Sequence, residues 1–476
     1  MPEQEVREEI IVDFAVIGSG PAGQKAAIQA AKLGKSVALI ENYIPGGACL
    51  NSGTIPSKAL REAILDLSRY HERTFYGPSY IQQVAFIDLN YRLQTVLEGE
   101  RAILLRQFKR NHIQFLQGSA QFVDPYTLNI VDDRCHILSR VKASFVLIAT
   151  GSIPRNPLHV PFDAEVIVDS TRLISIDHAP KTMVVLGGGI VGAEYASFFT
   201  VMGTKVTVLD KKDRLLPELD SEIGMHLQSA LKDGGLVVEP RKVLSRVERK
   251  GNRGIVYCQD GSSYEADLVL YALGREANVQ GLHLENAGLH LSERGYIHVN
   301  EHFQTAQPHI YAAGDVIGFP ALASTSMEQG RLSARHAFQA TMHSFPSFFP
   351  IGIYTIPEIS YCGYTEEELQ EKGFHYEVGR AYYYEIARSH ITGSNDVGLF
   401  KILFHKETGE ILGVHIVGRS ATELIHIGQV AMSFHATIDY FVDQIFNYPT
   451  FAEGYRIAAL NGMNKIPQHH SRRVSD

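Results

Sequence analysis

The chain has 476 residues, room for about three domains. Its 45% hydrophobic and 20% charged content is that of a packed globular protein and excludes a disordered one. A net charge of −8 argues against a general electrostatic affinity for nucleic acid, and the longest apolar stretches, such as Phe145–Ala149, are far short of a membrane helix. The first residues, MPEQEVREEI, are charged and lack an apolar core, so no export signal is expected. Cys49, Cys135, Cys258 and Cys362 have no close sequence partners, which suggests neither a disulfide framework nor a zinc cluster and fits a reducing cytoplasm.

In chain order, the first organised segment starts at Ile11. Phe14–Ile17 reads as a buried strand, followed by Gly18, Gly20 and Gly23 in G-x-G-x-x-G spacing. An alanine-rich helix is expected over Ala26–Lys32, stopped by Gly34; Val37–Ile40 is a second strand, with Glu41 at its end. The order has a physical reason. The first glycine permits a tight turn, the second lets the backbone approach a pyrophosphate, and the third lets helix and strand pack closely. The helix N-terminus turns free N–H groups toward the phosphates, and an acid about twenty residues on accepts from ribose hydroxyls.

A second copy begins at Thr182. Its glycines are Gly187, Gly189 and Gly192, its helix stop is Gly203, and its terminal acid is Asp210; each lies 169 positions after its counterpart. One such motif is a weak signal, but two copies in register with strands and acids in place are a strong one. Lys211, Lys212 and Arg214 follow Asp210 at once. The carboxylate suits a 2′-hydroxyl and repels a 2′-phosphate, whereas the cations suit the phosphate or are simply a solvated basic turn. Two dinucleotide sites in one chain point to a flavin and a nicotinamide, one to hold electrons and one to deliver them as hydride.

The segment GGACLNSGTIPSKAL at 46–60 resembles the FAD-dependent pyridine nucleotide–disulfide oxidoreductases. Ala149-Thr150-Gly151, Ala272-Leu273-Gly274-Arg275 and the run ending in Gly314-Asp315-Val316 extend the resemblance over nearly the whole chain. The family carries a C-x-x-x-x-C disulfide here. This chain keeps Cys49 but has Thr54 in the second place, so one of the two sulfurs is absent. Where dihydrolipoamide dehydrogenase has an acid–base histidine, Tyr448 stands, although Glu453 remains. A tyrosine titrating near 10 is a poor proton shuttle at neutral pH. Both departures resemble the soluble transhydrogenase branch of the family, as do GTIPSKALR at 53–61, GIYTIPEIS at 352–360, ELIHIGQ at 423–429 and NYPTFAEGYR at 447–456.

The resemblance implies an α/β fold with two Rossmann-like dinucleotide-binding domains and a C-terminal α+β dimerisation domain. An interrupted FAD domain would take 1–152 and 276–347, an NAD(P) domain 153–275, the interface domain 348–464 and a polar tail 465–476. Gly18, Gly20, Gly23, Glu41, Cys49, Thr54, Lys58, Thr150, Gly151, Gly314 and Asp315 are the FAD candidates. Gly187, Gly189, Gly192, Glu194, Asp210 and Gly274 are those for NAD(H) and NADP(H). Lys58 and Glu194 are the catalytic candidates, the lysine as a cation beside the flavin ring and the glutamate as its partner. Alone, Lys58 would read as a solvated lysine, Gly314-Asp315 as a surface turn, and Cys49 as a packed small hydrophobe. The expected activity is ping-pong hydride transfer between the two nicotinamide couples by a homo-oligomer, at least a dimer, with no metal, membrane or nucleic-acid partner. A dihydrolipoamide dehydrogenase-like disulfide reductase and a non-catalytic nucleotide-binding protein are the alternatives.

Overall fold

A computed structural model of the chain describes residues 8–72, 86–176, 178–341, 343–392 and 397–466. Two compact units divide it. The first takes the chain up to Pro157, Ser170–His178 and Gly274–Phe345; the second takes Leu158–Asp169, Ala179–Leu273 and the chain from Pro346. The end of the expected polar tail, with His469 and His470, lies outside the described residues.

The first unit is built on a seven-stranded sheet. Its order runs Gln114–Gln117, Val37–Glu41, Glu9–Ile17, Ile137–Ile148, Thr127–Val131, Ser119–Asp124, and Ile310–Ala312 also pairs with Ile137–Ile148. The strands around Glu9–Ile17 are parallel, in the register Ile17↔Ile40, Ile17↔Ile148 and Ala312↔Ile148. Phe14–Ile17 and Val37–Glu41 are buried throughout, which is why they read as unbroken apolar runs rather than alternating ones. The helix after the first strand spans Pro21–Lys32, five residues earlier than its alanines suggest. Gly20 caps it in an extended conformation, and Pro21 is pre-set for the first turn, so the glycine loop passes directly into the helix. Its buried small residues, Ala22, Gly23, Ala26, Ala27 and Ala30, bring neighbouring backbone close. Helix Ala323–Ala337 packs on it so tightly that a Cβ on Gly330 would lie 2.1 Å from the Ala22 carbonyl oxygen.

The second unit repeats the device. A parallel sheet runs Val237–Glu239, Lys205–Leu209, Thr182–Leu186, Leu268–Tyr271, Ile167–Asp169, with helix Ile190–Val201 following the central strand. A separate three-stranded antiparallel sheet spans Leu244–Lys250, Arg253–Cys258 and Ser263–Ala266. The C-terminal part of the same unit is an antiparallel sheet ordered Ile351–Ile353, Ile359–Gly363, Ile411–Val417, Leu399–His405, Tyr376–Tyr382. Its Ile411–Val417 strand is buried at every residue and follows a hairpin in which Gly409, at φ 74°, donates to the His405 carbonyl. Helices Ala421–Ser433 and Glu453–Met463 contribute to its core around Phe400, Phe441 and Tyr455.

A buried ionic knot ties the two parts of this unit together. Lys401 Nζ is 2.9 Å from Asp220, 3.0 Å from Glu222 and 2.5 Å from Glu366, and both Lys401 and Asp220 are almost fully buried. Asp220 also caps helix Ser221–Asp233, and Arg380 grips Glu222 with two bonds of 2.7 and 2.8 Å.

Candidate dinucleotide sites

Both glycine loops leave the C-terminal end of a central parallel strand, where open α/β sheets bind ligands. Their geometries match position by position. Gly18 and Gly187 have φ of 98° and 106°, and a Cβ on them would lie 2.5 and 2.6 Å from the carbonyl oxygens of Ala149 and Ala272. A Cβ on Gly23 or Gly192 would lie 1.9 Å from the oxygen of Gly18 or Gly187. By contrast, nothing lies within 4 Å of a Cβ on Gly20 or Gly189, the residues that open the two helices. The first and third glycines are therefore demanded by the protein's own backbone. The second keeps an approach clear for something else.

The acids repeat as well. Glu41 accepts from the Ser19 N–H at 2.9 Å through Oε2 and from the Tyr43 N–H at 3.0 Å through Oε1. Asp210 accepts from the Gly188 N–H through Oδ2 and from the Lys212 N–H at 2.8 Å through Oδ1. Each carboxylate is thus oriented by the loop and by the residue two places on, with lone pairs remaining for ribose hydroxyls. Only the first copy adds a side chain: Ser19 Oγ donates to Glu41 at 2.7 Å and accepts from Gly46 N–H at 2.9 Å. Of the cations after Asp210, Lys211 and Lys212 are exposed. Arg214 instead donates through Nη2 to the carbonyls of Pro217 and Leu219, at 3.0 and 2.8 Å.

The other expected residues of the first unit gather at the same sheet end. Thr150 and Gly151 follow the Ile137–Ile148 strand, and Gly314 and Asp315 follow Ile310–Ala312. Thr150 Oγ1 is buried with no hydrogen-bond partner, an orphan that a ligand hydroxyl or phosphate would satisfy. Gly151 and Gly274 have positive φ, 70° and 116°, with open space where a Cβ would stand. Asp315 Oδ2 accepts from Ser152 Oγ at 2.6 Å; that hydroxyl accepts from Arg275 Nε at 2.8 Å, while Gln329 Oε1 accepts from the Gly314 N–H at 2.8 Å. Sequence reasoning missed Ser152 and Gln329, and no local pattern marks them. The orphaned hydroxyl, the clear approach at Gly20 and the oriented Glu41 and Asp315 carboxylates fit an FAD dinucleotide.

Cys49 lies on the short helix Gly47–Asn51 and Thr54 opens helix Thr54–Glu72. Burial pushes the Cys49 thiol above its ordinary range, against the hydrogen bond with Thr54 and the charge of Lys58. The sulfur thus has a hydroxyl, not a second sulfur, as its neighbour and is protonated at neutral pH. Lys58 lies on the same helix and its Nζ is 3.4 Å from Ser57 Oγ. Glu194 belongs to the second unit, where it is buried and accepts from the Tyr354 N–H at 2.8 Å. Tyr448 is 71% exposed, and the buried Glu453 Oε2 has no hydrogen-bond partner. All four cysteines are unpaired, and no group of His, Cys, Asp and Glu among the described residues could hold a metal. No helix among them is long and apolar enough to cross a membrane.

Two matched glycine loops on parallel sheets, each with its oriented acid, define a protein with two dinucleotide sites. Residues 12–330 match the family of pyridine nucleotide-disulphide oxidoreductases and residues 349–459 match its dimerisation domain; the chain belongs to this family. Among its relatives, the soluble pyridine nucleotide transhydrogenase of Mycobacterium bovis is 45% identical over 457 residues, covering 95% of this chain and 97% of that protein. The enzyme of the same name from Enterobacter is 43% identical over 463 residues, 95% and 98% of the two chains. The solved structure of LpdA from Mycobacterium tuberculosis superimposes with a TM-score of 0.88 at 26% identity, covering 94% of this chain and 99% of that one.

Proposed function

We propose that the chain is a flavoprotein transhydrogenase that exchanges hydride between NADPH/NADP and NADH/NAD without a redox-active disulfide. The observation that carries the reading is the Cys49–Thr54 position, where the sulfur relay of a disulfide reductase is reduced to one half-buried, protonated thiol. Tyr448 in place of a histidine removes the thiol acid–base in the same step. FAD, when bound, supplies the two-electron carrier that takes hydride from one nicotinamide and returns it to the other.

The chain's own residues bind and orient. Gly20 and the N-terminus of helix Pro21–Lys32 receive the FAD pyrophosphate, Glu41 its adenosine ribose, and Asp315 with Thr150 and Gly151 its ribityl side. Gly189 and helix Ile190–Val201 do the same for the nicotinamide nucleotide, with Asp210 on its ribose. Lys58 is the cation assigned to the flavin ring, favouring electron density gained there. Glu194 is assigned as its partner. The domain limits follow: 1–152 with 276–347 for FAD, 153–275 for NAD(P), and 348–464 for assembly into at least a homodimer, working in the cytoplasm.

Purified chain given NADPH and thio-NAD, with no dithiol present, tests the reading. Parallel double-reciprocal lines are expected, and Cys49→Ser retains transfer within about threefold, far from the 10²–10⁴-fold cost of removing an acid–base group. Turnover that depends on a dithiol, or lipoamide reduction at a comparable rate, overturns it.

A further inference from the structure

A second loop runs beside the turn that carries Asp210, and it bears an arginine outside both glycine motifs. The segment after strand Val237–Glu239 runs beside the turn that follows Asp210. Asp210 N–H donates to the Glu239 carbonyl at 3.2 Å, Lys242 N–H to the Asp210 carbonyl at 2.8 Å, and Arg241 N–H to the Lys212 carbonyl at 3.1 Å. Arg241 sits in the left-handed region, φ 59°, so the bonds on either side hold its backbone in a conformation it would not choose. Its guanidinium Nε is 2.5 Å from Asp213 Oδ1, and both side chains are mostly in solvent.

The neighbouring cations differ from it. Arg214 is committed to the Pro217 and Leu219 carbonyls, and Lys242 to Asp260 at 2.7 Å. Arg241 has a partner that an anion can replace. An ion pair this exposed adds little net stability. A phosphate dianion offers more charge and a better match to the planar guanidinium than one carboxylate.

Resting on the transhydrogenase reading above, we propose that Arg241 is the 2′-phosphate reader of the site and that Asp213 is its internal substitute. When the nucleotide has a free 2′-hydroxyl, Asp210 accepts from it and Asp213 neutralises Arg241. When the nucleotide has a 2′-phosphate, the phosphate takes Arg241 from Asp213. One pocket thereby accepts both forms, with the repulsion from Asp210 offset only for the phosphorylated one.

Calorimetric titration of the full-length protein with adenosine 2′,5′-bisphosphate and with 5′-AMP tests this without turnover. Arg241→Asn, chosen because asparagine tolerates the left-handed backbone, is expected to weaken the bisphosphate about tenfold and leave 5′-AMP unchanged. Arg241→Lys retains part of the preference, and Asp213→Asn strengthens bisphosphate binding alone. Equal losses for both ligands in Arg241→Asn mean a structural role and overturn the proposal, as does no change. If the parent binds neither ligand, the functional reading itself fails. If it binds both equally, only the Arg241 assignment fails.

Discussion

Glycines in the two loops separate what the fold requires from what the ligand requires. In Gly192→Ala the new methyl would stand 1.9 Å from the Gly187 oxygen and 3.2 Å from Val185 Cγ1. The first contact is with backbone, so no side-chain rotation relieves it and the helix must move off the strand. Overpacking of this kind costs about 1–3 kcal/mol, and more than an ångström of overlap with a carbonyl places it at the top, about 3 kcal/mol. That corresponds to a fall of roughly 6–12 °C in melting temperature for a domain of this size. In Gly189→Ala the methyl meets nothing within 4 Å, and the backbone, at φ −75° and ψ −176°, is open to any residue. Only the weaker capping preference of alanine is lost, about 0.5–1 kcal/mol. The same methyl occupies the pyrophosphate's approach, so NADH affinity falls about tenfold or more, equivalent to about 1.4 kcal/mol. Scanning calorimetry and NADH titration on both variants decide it. A Gly189→Ala protein that binds NADH like the parent, or a Gly192→Ala protein that melts with the parent, refutes the division of labour.

Lys401→Ala leaves the fully buried Asp220 carboxylate without its ammonium partner, while Glu222 keeps Arg380, and is expected to lower stability by about 3–5 kcal/mol in urea unfolding; a loss below 1 kcal/mol would mean that water reaches the knot. Burial disfavours the charged forms of Asp220 and Glu222. The partners outweigh it, His415 and Lys401 at Asp220, Arg380 and Lys401 at Glu222, and hold both carboxyls below their usual range. Their contribution is therefore complete above the unfolded values and is lost as pH falls below about 4, which acid unfolding of parent and Lys401→Ala in parallel will show. Iodoacetamide at neutral pH should label exposed Cys135 well before Cys49, whose thiol is raised by burial, as followed by peptide mass spectrometry; prompt labelling of Cys49 would mean an activated thiol. Asp315→Asn is expected to lower the flavin retained after dialysis, read as the ratio of visible to ultraviolet absorbance, and Ser152→Ala to lower it less, since the serine only orients the carboxylate.

Much of this was legible because backbone sterics wrote it. Gly18, Gly23, Gly187 and Gly192 are residues that no side chain could replace without collision, and the strands beside them are buried on both faces and so read as apolar runs. Alanine content marks the body of the first helix but not its start, which Gly20 and Pro21 set. Contacts that close over long separations left no trace. Ser152 meets Asp315 from 163 positions away, and Gln329 reaches Gly314 from a later helix. Lys401, in the strand LFKILFH, gives no sign that acids at 220, 222 and 366 converge on it. Arg241 carries no sequence signal for a related reason: it joins the Asp210 turn from the loop after a neighbouring strand, not through the motif.

The two loops differ in one latch. Ser19 fastens the first to both Glu41 and Gly46, whereas Gly188 offers only its amide to Asp210. A loop held by three hydrogen bonds through one serine would favour a tenant that stays through many turnovers, and a loop held to its acid by one amide would favour visitors that leave after each. The serine hydroxyl is the feature that the second loop lacks, in two loops whose glycines otherwise match position by position.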